Sequence, residues 1–498
     1  MDRTTVVTSA RLPILTEPGP RSPFRHGPRG LAVASLRKRA RPLLVPGAVA
    51  FLTAAVYTIF STAQWRAYAT PSWDLGIFTQ LARQYAALQP PIVTIKGDGF
   101  NLLGDHFHPL LVLLGPVYAM FPHAFTLVVV QNLLFGLAAG VITFAATRVA
   151  RLGPLGGALV GLAFGFSWGL QGAVAVQFHE IAFAVPLLAV SLSAFVAGRW
   201  VMCAVWAAPL VFVKEDLGLT VAVIGVLLAW RACRPLGLWL ASWGFAWFAV
   251  ATLLVLPLLN SNGRWAYTGS IDLAGLLADP ASVIHPDKAV TLGLLVIASG
   301  AIALRSPLIL VALPTLGWRF LSDNAGYWGH GWQYSAVLMP VIFCAALDAI
   351  VLGRERPGWL RRCARWVPAV MAAVAALLVP QLPLAKLGDM SVHFSTDRAA
   401  AASAALDAVP DDAVVESDIG LMTYLVDRTE VYWVGNDNPT PDYIVVDLFA
   451  GGLPAEWTSV TDVQAERHPG VAFRTVYSGG GYEVAARAGL SQYSAVSP

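Results

Sequence analysis

The chain has 498 residues, of which 56% are hydrophobic and only 13% are charged. Soluble globular proteins carry about 25% charged residues, so this composition excludes an ordinary soluble domain and indicates an integral membrane protein. The formal net charge is only +3 and no basic, aromatic stripe is present, which excludes a nucleic-acid-binding protein.

The first 42 residues are rich in Arg, Pro and Gly and do not resemble a signal peptide. We predict that residues 1–42 form a disordered cytoplasmic tail. Apolar runs of about 20 residues, the length that crosses a bilayer, then recur along the chain. They predict about eleven spans, near 43–62, 125–147, 152–170, 181–198, 200–213, 217–230, 236–259, 289–304, 306–320, 335–352 and 366–385. The two runs within 200–230 are short, so the count stays open by one or two.

Arginine-containing loops follow at every second crossing, and four basic residues (Arg37, Lys38, Arg39 and Arg41) precede the first span. By the positive-inside rule, the N-terminus is expected in the cytoplasm and the C-terminus outside a multi-pass plasma-membrane protein. The membrane domain is predicted to cover residues 43–385. The four cysteines lie in spans or beside Arg-rich loops, which argues against disulfides and a cysteine-ligated metal.

The first outer loop, residues 63–124, carries a concentration of polar residues. Residues 74–89 are predicted to form an amphipathic helix on the outer membrane surface, with Leu75 and Phe78 on its apolar face and Gln80 and Arg83 away from it. Asp74 at its start fits either a helix cap or a general base.

Further along this loop, Asp105 precedes His106 and His108. The alternating histidines fit a divalent metal, but hydrogen bonding or a proton relay through His106 is the commoner alternative. Residues 109–121 are apolar but short, which predicts a second interfacial or re-entrant helix.

More polar clusters fall on the same outer face, where ionisable groups at membrane depth indicate a functional cavity. They include His179-Glu180, Lys214-Glu215-Asp216, the loop 260–288 with Arg264, and His330-Gly331-Trp332-Gln333-Tyr334. Lys214 fits a phosphate contact or a self-neutralising triplet, with one pairing expected inside the triplet. His179-Glu180 fits a structural hydrogen bond equally well. The aromatic residues of the last cluster fit sugar binding or interface anchoring.

The composition changes after Lys386. Residues 386–498 are predicted to form a small extracytoplasmic α/β domain, with a helix at 398–409, strands at 413–416, 431–434 and 442–447, and a hairpin of 473–477 with 482–486. It carries no nucleotide-binding or hydrolase motif, so we assign it a lid or acceptor-docking role.

The ordered motifs Trp73-Asp74-Leu75-Gly76, Gly104-Asp105-His106-Phe107-His108-Pro109, Phe178-His179-Glu180, Lys214-Glu215-Asp216 and His330-Gly331-Trp332-Gln333-Tyr334 resemble the DUF2079 family of bacterial membrane proteins. The resemblance covers most of residues 45–450. That family is similar in layout to the GT-C glycosyltransferases, which implies a GT-C-like helical membrane fold. It also implies a polyprenyl-phosphate-linked sugar donor and a catalytic acid in the first outer loop. Asp74 matches that acid and Asp105 is the second choice, although Leu75 stands where protein mannosyltransferases have a second acid.

The resulting expectation is a membrane glycosyltransferase that takes a lipid-linked sugar from the bilayer to an envelope glycan or protein acceptor. Asp74 would be the base, with Asp105 and His106 beside it. The expected substrate-binding residues are Lys96, His179, Glu180, Lys214, Glu215, Asp216, Arg264, His330, Trp332, Gln333 and Tyr334. No cofactor is required, and a divalent metal is left open. A transporter or flippase of a lipid-linked or small polar substrate, and a non-catalytic envelope scaffold, are the alternatives.

Overall fold

The computed structural model describes residues 43–70, 73–267, 269, 284–354, 365–389 and 397–490. The predicted tail, residues 1–42, lies outside the described residues, as do most of the loop 260–288 and Cys363.

The membrane part is built from α-helices that short 3₁₀ and π segments often extend. Its α-helices are α1 (Leu44–Arg66), α2 (Trp73–Ala86), α3 (Leu114–Met120), α4 (Ala124–Phe144), α5 (Gly153–Gly165), α6 (Trp168–Ala175), α7 (Ile181–Val196), α8 (Trp200–Ala207), α9 (Leu217–Arg231), α10 (Arg234–Val250), α11 (Leu256–Leu259), α12 (Pro286–Ala298), α13 (Leu313–Leu321), α14 (Leu338–Gly353) and α15 (Val367–Leu378). The longer 3₁₀ and π segments are Pro109–Leu113, Ala145–Val149, Ala208–Phe212, Ala251–Val255, Pro307–Ala312 and Pro383–Gly388.

Five helical runs in the described part of the chain are long and apolar enough to cross a membrane: Leu44–Arg66, Ala124–Val149, Gly153–Ala175, Arg234–Leu259 and Gln333–Gly353. Six shorter apolar helices accompany them: Pro109–Met120, Ile181–Val196, Trp200–Phe212, Leu217–Arg231, Pro307–Leu321 and Val367–Gln381. The protein is therefore a multi-pass membrane protein, whereas eleven crossings stay a prediction. The predicted span 289–304 corresponds to α12, which ends before Ala301, a residue in the left-handed region with φ of 62°.

Helices α9 and α10 pack through glycines that face the backbone of the opposite helix. A Cβ added at Gly225 would overlap the backbone of Ala241, and one added at Gly244 would overlap the carbonyl of Gly218. Because Gly218 faces Gly244 and Gly225 lies against Gly237, the two helices run antiparallel. Small residues of this kind let membrane helices approach closely, where van der Waals contact replaces the hydrophobic effect as the driving force.

A buried ion pair joins the C-terminal end of α9 to α14. Arg231 Nη1 lies 2.8 Å from the Asp348 carboxylate, which is fully buried. The Ser306 hydroxyl donates to the same carboxylate at 2.6 Å. Asp348 is the single acid inside a long apolar run, and its partners come from segments 117 and 42 residues away.

The C-terminal part forms one five-stranded sheet with short helices. Its elements are α16 (Asp397–Asp407), β1 (Val414–Ser417), α17 (Met422–Leu425), β2 (Glu430–Trp433), β3 (Tyr443–Asp447), α18 (Val460–Arg467), β4 (Phe473–Gly479) and β5 (Tyr482–Arg487). The strand order is β2-β1-β3-β5-β4. Strand β1 runs parallel to β2 and β3, with Val415 opposite Val431 and Tyr443, whereas β5 runs antiparallel to β3 and β4. The predicted strands, the hairpin and the first helix are confirmed to within two residues, whereas α17 and α18 are missed.

Helix α2 forms where the sequence predicts a helix, but the prediction that it lies on the membrane surface is wrong. Its Phe78 ring packs against Phe178 of the membrane part at 5.6 Å. The opposite, polar side is covered too: Gln80 is buried and its Nε2 donates to the Val431 carbonyl of β2 at 2.8 Å. Arg83 donates to the Thr429 carbonyl at 2.9 Å. The helix therefore lies between the membrane part and the C-terminal sheet, with edge strand β2 covered by it.

Two acids occupy the carboxyl ends of the neighbouring parallel strands β1 and β3. Asp418 is fully buried, and its carboxylate accepts the backbone N–H groups of Gly420, Leu421 and Asp447. Burial raises the pKa of Asp418 to about 7, and these N–H groups offset the rise only in part. Asp447 in turn binds the guanidinium of Arg398.

The α9–α10 contact gives a stability test. We expect Gly225→Ala to lower stability by about 1–3 kcal/mol, because the added methyl group must displace helix backbone. In the same assay, Gly293→Ala in α12 should be neutral or slightly stabilising, since a Cβ there meets no atom within 4 Å. Thermal unfolding midpoints in detergent measure both variants. Equal midpoints for Gly225→Ala and Gly293→Ala would contradict the close packing.

Asp418 gives a test of pH dependence. An unfolded Asp has a pKa of about 3.9, so between roughly pH 4 and pH 7 the folded state holds a proton that the unfolded state has released. Stability should therefore fall as pH rises through this window, by at most about 1.4 kcal/mol per pH unit from this group. Asp418→Asn, which cannot ionise, should lose this component when unfolding midpoints are measured from pH 5 to pH 8. Asp411→Asn, with a side chain 74% exposed, is the control. Parallel pH profiles for wild type and Asp418→Asn would refute the assignment.

Candidate functional site

A turn before α7 presents the first two site residues. Gln177 in this turn adopts the left-handed conformation with φ of 69°. Buried Gln131 of α4 holds the turn on both sides: its Nε2 donates to the Gln177 carbonyl at 3.0 Å, and its Oε1 accepts the His179 backbone N–H at 3.2 Å. This arrangement fixes His179 and Glu180 at the start of α7.

Asp74 and His179 form the most accessible charged pair of the site. Asp74 Oδ2 lies 3.0 Å from His179 Nε2, and the Asp74 side chain is 40% exposed while His179 is buried. The other ring nitrogen, Nδ1, lies 3.0 Å from the Gln177 carbonyl oxygen. A carbonyl and a carboxylate can only accept, so His179 makes both hydrogen bonds as the doubly protonated imidazolium. The Asp74 carboxylate is therefore oriented by His179, and the rest of its surface is open to solvent.

The charges of the Lys214-Glu215-Asp216 triplet do not pair with one another, contrary to the expectation from sequence. Lys214 Nζ lies 2.8 Å from Glu180 Oε1. Glu215 Oε1 lies 2.8 Å from His106 Nδ1, and its Oε2 accepts the Phe107 backbone N–H at 3.0 Å. Consecutive residues at the start of α9 point in different directions, so Lys214 and Glu215 find their partners on different segments.

Asp105 and Lys96 form a separate pair within the first outer loop. Lys96 Nζ lies 3.1 Å from Asp105 Oδ2, and the ammonium also lies 5.9 Å from the Trp73 ring. The neighbouring His106 ring stacks on Tyr267 at 4.7 Å. Asp105 and Lys214 both interact electrostatically with the Tyr267 hydroxyl, which places this pair at the border of the same site.

A small cavity lies beside Lys214, between the starts of α7 and α9 and the end of α13. It is lined by Glu180, Ile181, Lys214, Asp216, Leu217, Thr315, Trp318, Gln333, Tyr334 and Val337. Three polar atoms of this lining are buried and have no hydrogen-bond partner among the described residues: Asp216 Oδ1, Trp318 Nε1 and Gln333 Oε1. Buried polar atoms are nearly always paired in native proteins, so such a group marks a place where a polar ligand or solvent binds. Asp74, Glu180 and Lys214 all interact electrostatically with the Tyr334 hydroxyl.

Arg319 organises the loop that delivers Gln333 and Tyr334. It is fully buried and donates to the carbonyls of Tyr327 and Gly329, both at 2.8 Å, and to the Ser335 hydroxyl at 3.1 Å. Arg319 and Trp318 lie inside the predicted span 306–320, and sequence reasoning missed both. The sequence carries one signal for Arg319, which is a single charge within an apolar run.

The structure brings most of the predicted site residues together, namely Asp74, His106, His179, Glu180, Lys214, Glu215, Asp216, Gln333 and Tyr334, with Lys96 and Asp105 at the border. Three others belong neither to the charged pairs nor to the cavity lining. Arg264 is exposed, the His330 ring packs edge-on against Trp168 at 6.3 Å, and Trp332 is 49% exposed.

The metal interpretation of the two histidines gains no support from their positions. His106 is engaged by Glu215, while His108 is buried with its ring 5.9 Å from that of Phe78. Within the described ranges, no group of three or more His, Cys, Asp or Glu side chains is arranged to hold a metal ion. A divalent metal therefore stays an untested prediction.

Comparison with known proteins places the chain in a family. No curated protein matches it. A family model described as "Predicted membrane protein (DUF2079)" matches residues 67–487. This range contains most of residues 63–124, the charged pairs of the site, the cavity and the C-terminal sheet. The chain therefore belongs to the DUF2079 family of predicted membrane proteins.

Proposed function

We propose that the protein is a GT-C-like membrane glycosyltransferase. It transfers a sugar from a polyprenyl-phosphate-linked donor to an envelope glycan or protein acceptor on the extracytoplasmic face. The observation that carries the proposal is the neighbourhood of Asp74: an accessible carboxylate is oriented by His179, whose chain neighbour Glu180 binds Lys214 and lines a polar cavity.

Accessibility selects Asp74 over the other site carboxylates as the base. A general base must reach the proton it removes. The Asp74 side chain is 40% exposed, whereas that of Asp105 is 14% exposed and pairs with Lys96. Glu180 and Glu215 are almost fully buried and engaged by Lys214 and His106. His179 orients Asp74 without blocking its exposed side.

In the proposed reaction, Asp74 accepts the proton of the acceptor hydroxyl. The acceptor oxygen forms a bond to the anomeric carbon of the sugar as the bond from that carbon to the donor phosphate oxygen breaks. The electron pair of the broken bond stays on the phosphate, which leaves as polyprenyl phosphate. The proton on Asp74 then passes to solvent, which the exposed side of the carboxylate reaches.

Lys214 is the residue assigned to the leaving phosphate. An ammonium group has three N–H donors, and Glu180 accepts one of them at 2.8 Å. The remaining donors can bind phosphate oxygens, and the apolar surroundings of the site strengthen such a contact relative to water. Glu180 holds Lys214 in position and keeps its charge balanced when no donor is bound. Lys96, engaged by Asp105, would support the phosphate from the border of the site.

The positions of the charged groups favour an enzyme over a transporter. Transporters bind their substrates near the bilayer midplane, at discontinuous helices. Here Glu180 and Asp216 directly precede the first residues of α7 and α9, and Asp74 lies in the first turn of α2. The groups therefore lie at helix ends, and we infer that these ends face the membrane surface, where a lipid headgroup and a soluble acceptor meet.

Replacement of the base tests the catalytic assignment. We expect Asp74→Asn to lower the rate of sugar transfer by about 10²–10⁴-fold with little loss of donor binding, because the amide cannot accept the proton. Release of polyprenyl phosphate from lipid-linked sugars in proteoliposomes measures the rate. Asp287→Asn, a change of an exposed carboxylate at the start of α12, is the matched control. An unchanged rate in Asp74→Asn would rule out this residue as the base.

Binding of polyprenyl phosphate tests the role of Lys214. Lys214→Ala alone leaves the buried Glu180 carboxylate unpaired, which destabilises a protein by about 3–5 kcal/mol. The double variant Lys214→Gln, Glu180→Gln removes the cation without leaving that charge. We expect it to fold and to bind polyprenyl phosphate at least about 10-fold more weakly in native mass spectrometry, since it lacks a charge-assisted contact. The exposed Lys386→Ala is the control. Equal lipid binding by all proteins would contradict the lipid-phosphate site.

A further inference from the structure

The three unpartnered atoms of the cavity have a definite hydrogen-bonding character. Asp216 Oδ1 is an acceptor, and Trp318 Nε1 is a donor and nothing else. Gln333 Oε1 is a second acceptor. A ligand group that completes this set must therefore donate to a carboxylate and accept from an indole N–H at close range.

This pattern does not fit a phosphate. Phosphate oxygens accept hydrogen bonds, and placed against Asp216 they would bring two negatively charged groups together. The local charge argues the same way: Lys214 is the cation that lines the cavity, whereas Asp216 adds a second acid to Glu180 there. The phosphate therefore belongs on the Lys214 ammonium, and the Asp216 side of the cavity is left for a ligand group that donates.

A hydroxyl group is both donor and acceptor, so it fits the whole set. A pair of adjacent hydroxyls can donate to Asp216 and Gln333 while accepting from Trp318. The Trp318 and Tyr334 rings both line the cavity and pack edge-on against each other, with centroids 5.9 Å apart at an interplanar angle of 86°, so this part of the wall is aromatic. The Thr315 side chain, also buried, completes the wall beside Trp318.

We propose that the cavity is a sugar-recognition subsite that binds adjacent hydroxyl groups of the transferred sugar through Asp216, Trp318 and Gln333. This inference rests on the proposed transfer of a sugar. It names the residues that bind the sugar hydroxyls, and it separates them from the phosphate contact at Lys214. The substrate class is thus a donor whose sugar carries free neighbouring hydroxyls on the side facing α9 and α13.

The test compares methyl glycosides with their monodeoxy analogues, measured by saturation-transfer NMR on the full-length protein in detergent. The probes are methyl pyranosides and furanosides of the common hexoses and pentoses. At least one should bind wild type saturably, and removal of one hydroxyl should weaken it about 10-fold or more, since a polar site left unpaired penalises the deoxy ligand. In Asp216→Asn, the ratio of the affinity for the parent glycoside to that for the deoxy analogue should fall toward one.

Trp318→Phe is the second variant, since it removes only the indole donor and keeps the test decisive if Asp216→Asn fails to fold. It should weaken the parent glycoside and reduce discrimination against a deoxy analogue. The control Trp230→Phe changes a ring that is 73% exposed on α9, and it should keep the wild-type preference. A merely structural role for Asp216 or Trp318 would alter stability but leave the deoxy ratio intact.

Three outcomes overturn the subsite: no saturable glycoside binding, equal binding of parent and deoxy sugars, or unchanged ratios in both variants. The first would mean that solvent alone completes the three polar atoms. The proposed transfer reaction is judged separately by polyprenyl phosphate binding at Lys214. Sugar recognition without lipid binding would refute the donor and keep the subsite, whereas lipid binding without sugar recognition would do the reverse.

Discussion

Most charged groups that lie among the apolar helices are held by an opposite charge or by hydrogen bonds, and these contacts organise the membrane part. Lys214 with Glu180, Glu215 with His106, and Arg231 with Asp348 are pairs of this kind, and in every case the partner comes from a distant segment. Removing one member of such a pair leaves an uncompensated buried charge, which destabilises by about 3–5 kcal/mol. The pairs therefore fix the relative positions of the helices that carry them. The cavity follows from these pairs, because its wall contains the polar atoms that the pairs leave without a partner.

The C-terminal sheet is bonded directly to the helix that carries Asp74. Its edge strand β2 accepts hydrogen bonds from Gln80 and Thr94 on the Val431 carbonyl, at 2.8 and 2.7 Å. The Trp73 and Trp433 rings meet at 4.8 Å next to Asp74. A helix that carries the proposed base is thus held from both sides. We infer that the sheet positions Asp74.

Much of the fold follows from the sequence because its signals are local. Apolar runs predict the membrane helices, and alternating or buried patterns predict β1, β2, β3 and the terminal hairpin. The site is predictable only in part. The motifs name Asp74, Glu180 and Lys214 as important, but nothing local shows that Lys214 pairs with Glu180, 34 residues away, and not with its neighbours.

Two further errors of the predictions from sequence also come from non-local contacts. The polar side of α2 indicates contact with water when the helix is taken alone, and only the tertiary structure covers Gln80 with strand β2. Trp318 and Arg319 are hidden in an apolar run that predicts a simple span. Their roles come from the loop that Arg319 binds through the Tyr327 and Gly329 carbonyls. Non-local pairing decides these positions, and sequence patterns carry little information about it.

The central claim is that the charged pairs and the cavity open on the extracytoplasmic face, where lipid-linked donors and envelope acceptors meet. Cysteine accessibility tests it directly, with single cysteines introduced into a cysteine-free background and a membrane-impermeant maleimide applied to intact cells. Asp437→Cys lies on a fully exposed side chain of the C-terminal domain, and Arg234→Cys lies on the exposed first residue of α10. If the site opens outside the cell, position 437 is labelled in intact cells and position 234 only after permeabilisation. The reverse pattern would place the site in the cytoplasm and contradict the account.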